Sequence, residues 1–367
     1  MSNPRLRDLG INVGTMPIGQ WNAITDVPGV RVGHTTLIDS DLPIRTGVTA
    51  IHPHEGSVFH DSSPAAIAVL NGSGEMTGRS QIDEYGILES PVLITNTLSV
   101  GAVHKSVTEW LSEQEPGLGS KHFFVPAVAE TFDGFLNDGS GQHVERTHVF
   151  SALNGAKDGP VAEGNVGGGT GMLTCQFKGG IGTSSRLVGI GSAEYTVGVL
   201  VQSNFGARED LLIDGVPVGL EISDALPVRN ENLVEKDGSI IVVVATDAPL
   251  SDRQLRRLCY RAMLGLSRAG GIGRNSSGDI MIAFSNAREN RTPRSFDPSI
   301  DNPIQTRLQL NDRMIDPIFK ATVEATSESI GNALVAAETM TGRAGNTAFA
   351  LPHDQLVSIM RKYGRIV

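Results

Sequence analysis

Short apolar runs alternate along the chain with segments of helical periodicity. The runs are bounded by glycine, proline or asparagine, which is typical of strands in a packed sheet. The run 240–245, Ile-Ile-Val-Val-Val-Ala, contains no polar residue and therefore indicates a strand buried on both faces. We predict strands at 66–70, 92–94, 186–191, 196–202, 240–245 and 280–284.

Three segments carry apolar residues at spacings of three and four, which is the period of a helix. The first follows Ser99, which we expect to cap it. The second begins at Ser251, where Gln254 completes a capping box, and ends at Gly270. The third spans 317–340.

Composition places the chain among ordinary globular proteins. Its 367 residues are 40% hydrophobic and 19% charged, which allows a large core in one domain or in two to three smaller ones. The 40 acidic against 30 basic residues argue against nucleic acid or an anionic membrane as a partner. Mobile loops are expected at 155–164 and 287–303.

Cysteine usage and hydropathy bear on the cellular compartment. Cys175 and Cys259 are too few for a zinc site, and we expect both to be core thiols. No apolar run approaches the length of about 18 residues that a membrane span needs, and the first residues lack a secretory pattern. These features predict a cytoplasmic protein.

One serine stands at the start of the most apolar predicted strand. Ser239 follows Asp237 and Gly238 and directly precedes the run 240–245. If the bond between Gly238 and Ser239 were cut, Ser239 would own a hydroxyl nucleophile and an α-amine, whose pKa of about 7.7–8.0 suits a general base. The alternative is a plain hairpin turn, because Asp-Gly before a strand is a common turn sequence.

Motifs for cofactors and metals do not occur in the sequence. The glycine tract 167–171 lacks the Gly-Lys-Ser/Thr ending of a phosphate-binding loop, so we expect a tight turn or a pocket wall there. The histidines show no metal-binding spacing, and His52 and His54 are expected to be solvated or packed. We therefore predict neither a cofactor nor a metal.

Five stretches of the chain form a series. They are 24–34 (ITDVPGVRVGH), 45–49 (RTGVT), 95–101 (TNTLSVG), 167–172 (GGGTGM) and 238–250 (GSIIVVVATDAPL). In this order they resemble the L-aminopeptidase/D-esterase family, which includes the bacterial β-peptidyl aminopeptidases. The resemblance extends from about Arg7 to the C-terminal helices.

The resemblance implies an α+β fold, an αββα sandwich similar to that of N-terminal-nucleophile hydrolases but with different strand connectivity. It also implies a single domain, 1–367, that cuts itself before Ser239 into an α chain, 1–238, and a β chain, 239–367. Gly238 would help, because a residue without Cβ leaves its carbonyl accessible. The αβ protomers would form a homo-oligomer, for which a tetramer is one expected form.

Four residues receive catalytic roles from the resemblance. Ser239 would be the nucleophile, and the side-chain amide of Asn204 would stabilise the tetrahedral intermediate. Ser277 would hydrogen-bond the hydroxyl or the amine of Ser239, and Asp279, often a glutamate in the family, would orient that network. Without the family, Asn204 and residues 277–279 also fit ordinary turns at strand ends.

Two further residues would bind the substrate. Glu130 matches the carboxylate that receives the substrate's free ammonium group, although an isolated glutamate is more often a solvated surface charge. Phe132 stands where some members have a tyrosine, so the ring is kept and the hydroxyl is lost. This difference is expected to alter the preference for the acyl residue.

The sequence therefore predicts a self-processing serine aminopeptidase. It would release N-terminal residues from small peptides, amino acid amides or esters through an acyl-enzyme. One alternative is acyl transfer, as in the ornithine acetyltransferases, which use threonine as the nucleophile. Another is an uncleaved binding protein that retains the fold without activity.

Overall fold

The computed structural model describes residues 3–230, 238–293 and 304–366. Asp237 and most of the predicted loop 287–303 lie outside these ranges. The strands of the described ranges are, in chain order, β1 (Arg31–Ile38), β2 (Arg45–His52), β3 (Asp61–Gly72), β4 (Ile87–Leu88), β5 (Val92–Asn96), β6 (Ala127–Thr131), β7 (Leu173–Thr174), β8 (Phe177–Lys178), β9 (Gly180–Ile190), β10 (Ala193–Asn204), β11 (Ser239–Thr246), β12 (Gly278–Ser285), β13 (Thr292–Pro293), β14 (Met340–Thr341) and β15 (Thr347–Ala348).

Helices occur between the strands and after them. Those of the described ranges are α1 (Arg79–Tyr85), α2 (Val100–Gln114), α3 (Arg146–Asn154), α4 (Val218–Glu221), α5 (Asp252–Arg268), α6 (Asp316–Val335) and α7 (His353–Lys362). None of these helices combines the length and the apolar composition that crossing a membrane requires.

Two mixed sheets lie face to face and carry helices on their outer sides. The smaller sheet has the strand order β1-β2-β5-β6, and the larger has β13-β3-β12-β11-β10-β9, with β4 beside β3. Helices α2 and α3 cover the smaller sheet, and α5 and α6 cover the larger. The fold is therefore α+β with four layers in the order αββα, as the family resemblance implies.

Strand β11 explains why the run 240–245 is apolar throughout. Side chains of a strand alternate between its two faces. Ile240 and Val242 join the core beneath α5 and α6, whereas Ile241 and Val243 join the core between the two sheets. Because both faces are buried, every position favours an apolar residue.

The predicted elements are present, with differences at their ends. Strands β9 and β10 are longer than predicted, and Ser251 with Gln254 forms the predicted capping box of α5. The side chain of Ser99 does not cap α2. Instead, the side-chain oxygen of Asn96 accepts a hydrogen bond from the Ser99 N–H at 3.0 Å and caps a short 3-10 turn that precedes the helix. Helix α6 ends at Val335 because the chain then turns to pair β14 with β15.

The two cysteines and the loop 155–164 can also be compared with their predictions. Cys175 and Cys259 are free and buried, as expected of core thiols. Loop 155–164 contains no helix or strand, but hydrogen bonds of its backbone join it to β1 through Lys157 and to β9 through Gly164.

Candidate active site

Ser239 is the first residue of β11, in the middle of the larger sheet. It pairs with Asn204 on β10 and with Gly278 on β12, so both edges of the strand are occupied. The Gly278 N–H donates to the Ser239 hydroxyl oxygen at 3.0 Å, and the serine is only 6% exposed. The hairpin-turn interpretation does not fit, because a strand preceding Gly238 would find no free edge of β11.

Gly238 lies against the end of β10. A Cβ at this position would overlap the carbonyl oxygen of Asn204 and would lie 2.7 Å from its carbonyl carbon. Glycine is the residue that permits so close an approach between two backbones. The residue before Ser239 is thus packed against the same strand end that carries Asn204.

Asn204 lies directly opposite Ser239. Opposed side chains of an antiparallel pair share one face of the sheet, so the amide and the hydroxyl both point toward the smaller sheet. The Asn204 Oδ1 accepts from the Leu173 N–H at 2.8 Å, and Nδ2 donates to the Phe132 carbonyl at 2.9 Å. These bonds fix the orientation of the amide and leave the second N–H of Nδ2 for another acceptor.

Ser277 and Asp279 lie beside the start of β11 but on the other face of the larger sheet. Asp279 pairs with Ile240, whose side chain faces the helices α5 and α6. The Ser277 hydroxyl donates to Asp279 Oδ1 at 2.6 Å, so the aspartate reaches its partner although it is shorter than a glutamate. The side chains of this pair and the Ser239 hydroxyl therefore lie on opposite faces of the larger sheet.

The environment of Asp279 alters its acidity. Burial raises the pKa of this carboxyl to about 6, while hydrogen bonds from the Ser277 hydroxyl and the Ile240 N–H act in the opposite direction. A carboxyl with this pKa is mostly ionised at pH 7. It can therefore stabilise a positive charge that develops next to the start of β11.

Glu130 is buried at the edge of the smaller sheet, on β6, and is not a solvated surface charge. The Glu75 N–H donates to its Oε1 at 2.9 Å, and the Thr97 hydroxyl donates to its Oε2. Burial raises the pKa of Glu130, and these two bonds oppose the rise. A buried carboxylate that has no cationic partner within the described residues is suited to receive an ammonium group.

Two glycines bring Glu130 and Ser239 to one place. A Cβ at Gly74 would lie 3.0 Å from Glu130 Oε1 and 3.1 Å from the Cα of Gly278. A Cβ at Gly278 would in turn lie 3.0 Å from the Ser239 hydroxyl oxygen. The carboxylate and the hydroxyl therefore flank the same pair of glycines, and larger residues at either position would fill the space between them.

Phe132 follows β6 and lies on the surface of this region. Its side chain is 52% exposed, its ring covers Gly134, and its carbonyl holds the amide of Asn204. The ring is an exposed apolar group two residues after Glu130. Without a hydroxyl it cannot donate a hydrogen bond to a reacting group.

The groups that hold the candidate residues in place are not recognisable in the sequence. Thr97 lies within the motif 95–101, but the motif does not indicate that its hydroxyl binds Glu130. Glu75 and Leu173 contribute only backbone N–H groups, which no side-chain pattern encodes. For Glu75, the only indication in the sequence is Gly-Ser-Gly at 72–74. After this turn the chain runs back along β6, where Met76 pairs with Ala129.

The glycine tract forms a tight turn, as predicted, and its glycines allow close packing. Gly167–Gly169 is a buried 3-10 turn between the two sheets. A Cβ at Gly168 would lie 2.7 Å from the carbonyl oxygen of Ile94, and one at Gly169 would lie 2.7 Å from the carbonyl carbon of Gly180. Within the described parts of the chain, no three histidine, cysteine or acidic side chains cluster as metal ligands do.

Comparison with known proteins gives matches along nearly the whole chain. The sequence model of peptidase family S58 matches residues 22–348. The β-peptidyl aminopeptidase BapA of Sphingosinicella xenopeptidilytica is 45% identical over 376 residues, which cover 98% of this chain and 92% of the relative. A β-aminopeptidase from Burkholderia sp. has a TM-score of 0.91 and 44% identity, over 98% of this chain and 99% of that chain.

A third similarity concerns the fold. The L-aminopeptidase D-Ala-esterase/amidase of Ochrobactrum anthropi, described as a variant of the N-terminal-nucleophile hydrolase fold, has a TM-score of 0.91 and 41% identity. The match covers 99% of this chain and 100% of that chain. These similarities favour neither the acyltransferase nor the binding-protein hypothesis. The chain belongs to peptidase family S58, and it is a serine aminopeptidase.

Proposed function

We propose that the chain cuts itself between Gly238 and Ser239 and then uses Ser239 as an N-terminal nucleophile. The position of Ser239 carries this proposal. It is the first residue of the central strand, its hydroxyl is held at 3.0 Å by the Gly278 N–H, and its neighbour across the ladder is Asn204. A nucleophile, a backbone donor and a side-chain amide thus surround one peptide bond.

Self-cleavage would proceed by transfer of an acyl group from nitrogen to oxygen. The Ser239 oxygen attacks the Gly238 carbonyl carbon, the amide bond breaks as an ester forms, and the departing nitrogen gains a proton. Water then hydrolyses the ester, which leaves Gly238 with a carboxylate and restores the hydroxyl. The products are chains 1–238 and 239–367.

Turnover would use the amine that cleavage frees. The α-amine takes the hydroxyl proton as the Ser239 oxygen attacks the substrate carbonyl, and then delivers a proton to the leaving amine. The second N–H of Asn204 Nδ2 donates to the oxyanion, an interaction that typically lowers a barrier by about 2.7–4 kcal/mol. Water then releases the acyl group from Ser239.

Ser277 and Asp279 would set the properties of the α-amine. Because the Ser277 hydroxyl donates its hydrogen bond to Asp279, the hydroxyl oxygen keeps lone pairs that can accept a hydrogen bond from the amine. The Asp279 carboxylate stabilises the ammonium that forms during proton transfer. Both groups would act on the nitrogen of Ser239 and not on its hydroxyl. Their position beside the start of β11, on the face opposite the hydroxyl, supports this role.

The substrate is a small peptide or amino acid amide with a free N-terminus. Glu130 would receive the ammonium group, and Phe132 would contact the acyl side chain. We include N-terminal β-amino acid residues among the substrates, because the relative named as a β-peptidyl aminopeptidase is 45% identical over 98% of the chain. The extra methylene of such a residue changes the distance between its amine and its carbonyl.

Intact mass and N-terminal sequencing test the proposal directly. The wild-type protein should yield two chains, with the smaller beginning Ser-Ile-Ile-Val, whereas Ser239→Ala should remain one chain without activity. Ser285→Ala is a matched control, since Ser285 is a buried serine at the opposite end of β12. A single wild-type chain after long incubation, or a cleaved and active Ser239→Ala protein, contradicts the proposal.

We further propose a cytoplasmic homo-oligomer of processed protomers. Tyr260 and Leu264, one turn apart on α5, are 48% and 57% exposed, and apolar surface of this kind supports contact between copies. Light scattering of the purified protein should give a multiple of the protomer mass, with a tetramer expected, and cell fractionation should recover it with soluble proteins. A monomer would contradict the first expectation.

A further inference from the structure

We infer that Lys178 is a positioning residue for the side-chain amide of Asn204, and that it acts through the hairpin formed by β7 and β8. The inference rests on the proposed role of Asn204 as the donor to the oxyanion. It goes beyond that role by naming the group that keeps the donor in place.

The hairpin has an unfavourable backbone conformation. β7 and β8 are joined by Cys175 and Gln176, whose φ angles are 49° and 63°. Residues other than glycine rarely adopt this left-handed region, and such strain persists only where the surroundings enforce it. Leu173, the first residue of the hairpin, donates its N–H to Asn204 Oδ1 at 2.8 Å.

Lys178 binds the same peptide unit from its other side. Its ammonium donates to the Met172 carbonyl at 2.9 Å, and that carbonyl and the Leu173 N–H belong to one peptide group. A peptide group is planar and rigid, so a contact that fixes its oxygen also fixes the direction of its N–H. The ammonium, the peptide and the amide of Asn204 therefore form one chain of hydrogen bonds, in which each bond polarises the next.

The remaining contacts of Lys178 strengthen the same assembly. Its ammonium also donates to the Gly179 carbonyl at 2.7 Å and to the Gly169 carbonyl at 3.3 Å. Arg208 holds the far end of the hairpin, with donors 3.1 Å from the carbonyls of Cys175 and Gln176. Two buried basic side chains, Lys178 and Arg208, thus donate hydrogen bonds to carbonyls at both ends of the strained turn.

Stability alone does not explain a lysine here. Lys178 is fully buried, and within the described residues its ammonium is bonded to backbone carbonyls and to no carboxylate. Burial lowers the pKa of Lys178 to about 7, because the charged form is costly to hold away from water without a counter-charge, whereas a methionine would fill similar space at no such cost. The ammonium does what a methionine cannot, which is to hold the carbonyl of Met172.

The expected effect follows from what the donor contacts. An oxyanion donor acts in the transition state, so its displacement lowers kcat and leaves KM unchanged. Lys178→Met should reduce kcat about tenfold, since a misplacement of about 1 Å can cost up to roughly a hundredfold. Self-cleavage, which passes through a similar oxyanion, should slow to a comparable degree.

A double-mutant cycle tests whether Lys178 acts through Asn204. We would compare wild type, Lys178→Met, Asn204→Ala and the double variant, each incubated until its mass shows complete cleavage, with an amino acid amide as substrate. Lys178→Met should lose activity in the wild-type background and little or none in the Asn204→Ala background. Arg7→Met is the control for general destabilisation, because it removes an ion pair with Glu328 and should leave kcat unchanged.

Each outcome bears on the inference. Equal losses in both backgrounds, or an unchanged kcat in Lys178→Met, would overturn it. If Lys178→Met does not fold, Lys178→Gln enters the same cycle, since its shorter side chain keeps a polar group in the buried site but withdraws the donor from the Met172 carbonyl by one bond length, and the same outcomes decide. If Asn204→Ala alone keeps full kcat, the proposed role of Asn204 fails and this inference with it, whereas cleavage before Ser239 would still stand.

Discussion

Replacement of Glu130 by glutamine separates the two reactions that we assign to this site. The substitution keeps the shape of the side chain and removes its charge. The remaining carbonyl can still accept the Glu75 N–H, and the new NH₂ group can donate to the Thr97 hydroxyl, which can rotate to accept it. Burial raises the pKa of Glu130, so a neutral side chain costs less to bury, and we expect no loss of stability.

The magnitude follows from the loss of one charge-assisted hydrogen bond. Such a bond contributes about 1.5–3 kcal/mol, which corresponds to a fall in kcat/KM of roughly 10- to 150-fold for a substrate with a free amine. Self-cleavage should keep its rate, because the bond between Gly238 and Ser239 presents no ammonium group. A pure loss of aminopeptidase activity is therefore the signature of Glu130→Gln.

The assay compares the p-nitroanilides of alanine and β-alanine with their N-acetylated forms. Wild type should hydrolyse the free-amine substrates with a much higher kcat/KM than the acetylated ones. In Glu130→Gln the kcat/KM for the free-amine substrates should fall close to that for the acetylated ones. Glu84→Gln is the matched control, because the side chain of Glu84 is exposed on α1 and takes no part in the contacts of Glu130. An unchanged kcat/KM in Glu130→Gln would refute the assignment of Glu130 as the ammonium site.

Three further changes test other parts of the structure. Gly238→Ala should slow self-cleavage by about 5- to 150-fold in a time course of intact mass, because its Cβ would overlap the Asn204 carbonyl and overpacking costs about 1–3 kcal/mol. Cleavage at the wild-type rate would contradict this packing. Asp279→Asn should move the acidic limb of the pH profile of kcat about 1–3 pH units lower, because the carboxylate stabilises the ammonium form of the α-amine and so raises the pKa of that amine. An unmoved limb would contradict an interaction between Asp279 and the amine. Asp133→Asn should stabilise the protein by about 2–4 kcal/mol at pH 8 in urea unfolding and by less at pH 5. Burial raises the pKa of Asp133 to about 7, so the folded state holds a proton that the unfolded state has released, and wild-type stability falls as pH rises from about 4 to 7; equal gains at both values would contradict this account.

The parts of the fold that local pattern determines could be predicted from the sequence. β11 is recognisable because both of its faces are buried and every residue from 240 to 245 is apolar. α5 is recognisable because Ser251 and Gln254 satisfy each other's backbone groups within one turn. In both cases the signal and the structure lie within a few residues of each other.

The rest depends on contacts between distant parts of the chain. Asn96, and not Ser99, satisfies the start of the turn before α2, and the sequence around them permits either choice. Ser277 and Asp279 lie on the opposite face of the sheet from the Ser239 hydroxyl, because the parallel register pairs Ile240 with Asp279. A shift of one residue would reverse these faces, and no local pattern fixes that register.

The place of Ser239 also explains how a cut chain would keep a working site. β11 is held on one side by β10 over the whole pairing from Val197 with Thr246 to Asn204 with Ser239, and on the other by β12. Cutting the bond before Ser239 removes one covalent link at the end of this ladder and none of its hydrogen bonds. The new amine would therefore appear at a fixed position between Gly278 on β12 and Asn204 on β10, and its freedom would be limited to rotation about its own bonds. A nucleophile at the first residue of a central strand therefore gains an amine as its base while the strand stays paired with both neighbours. A nucleophile on a loop would have no such pairing to hold it after the cut.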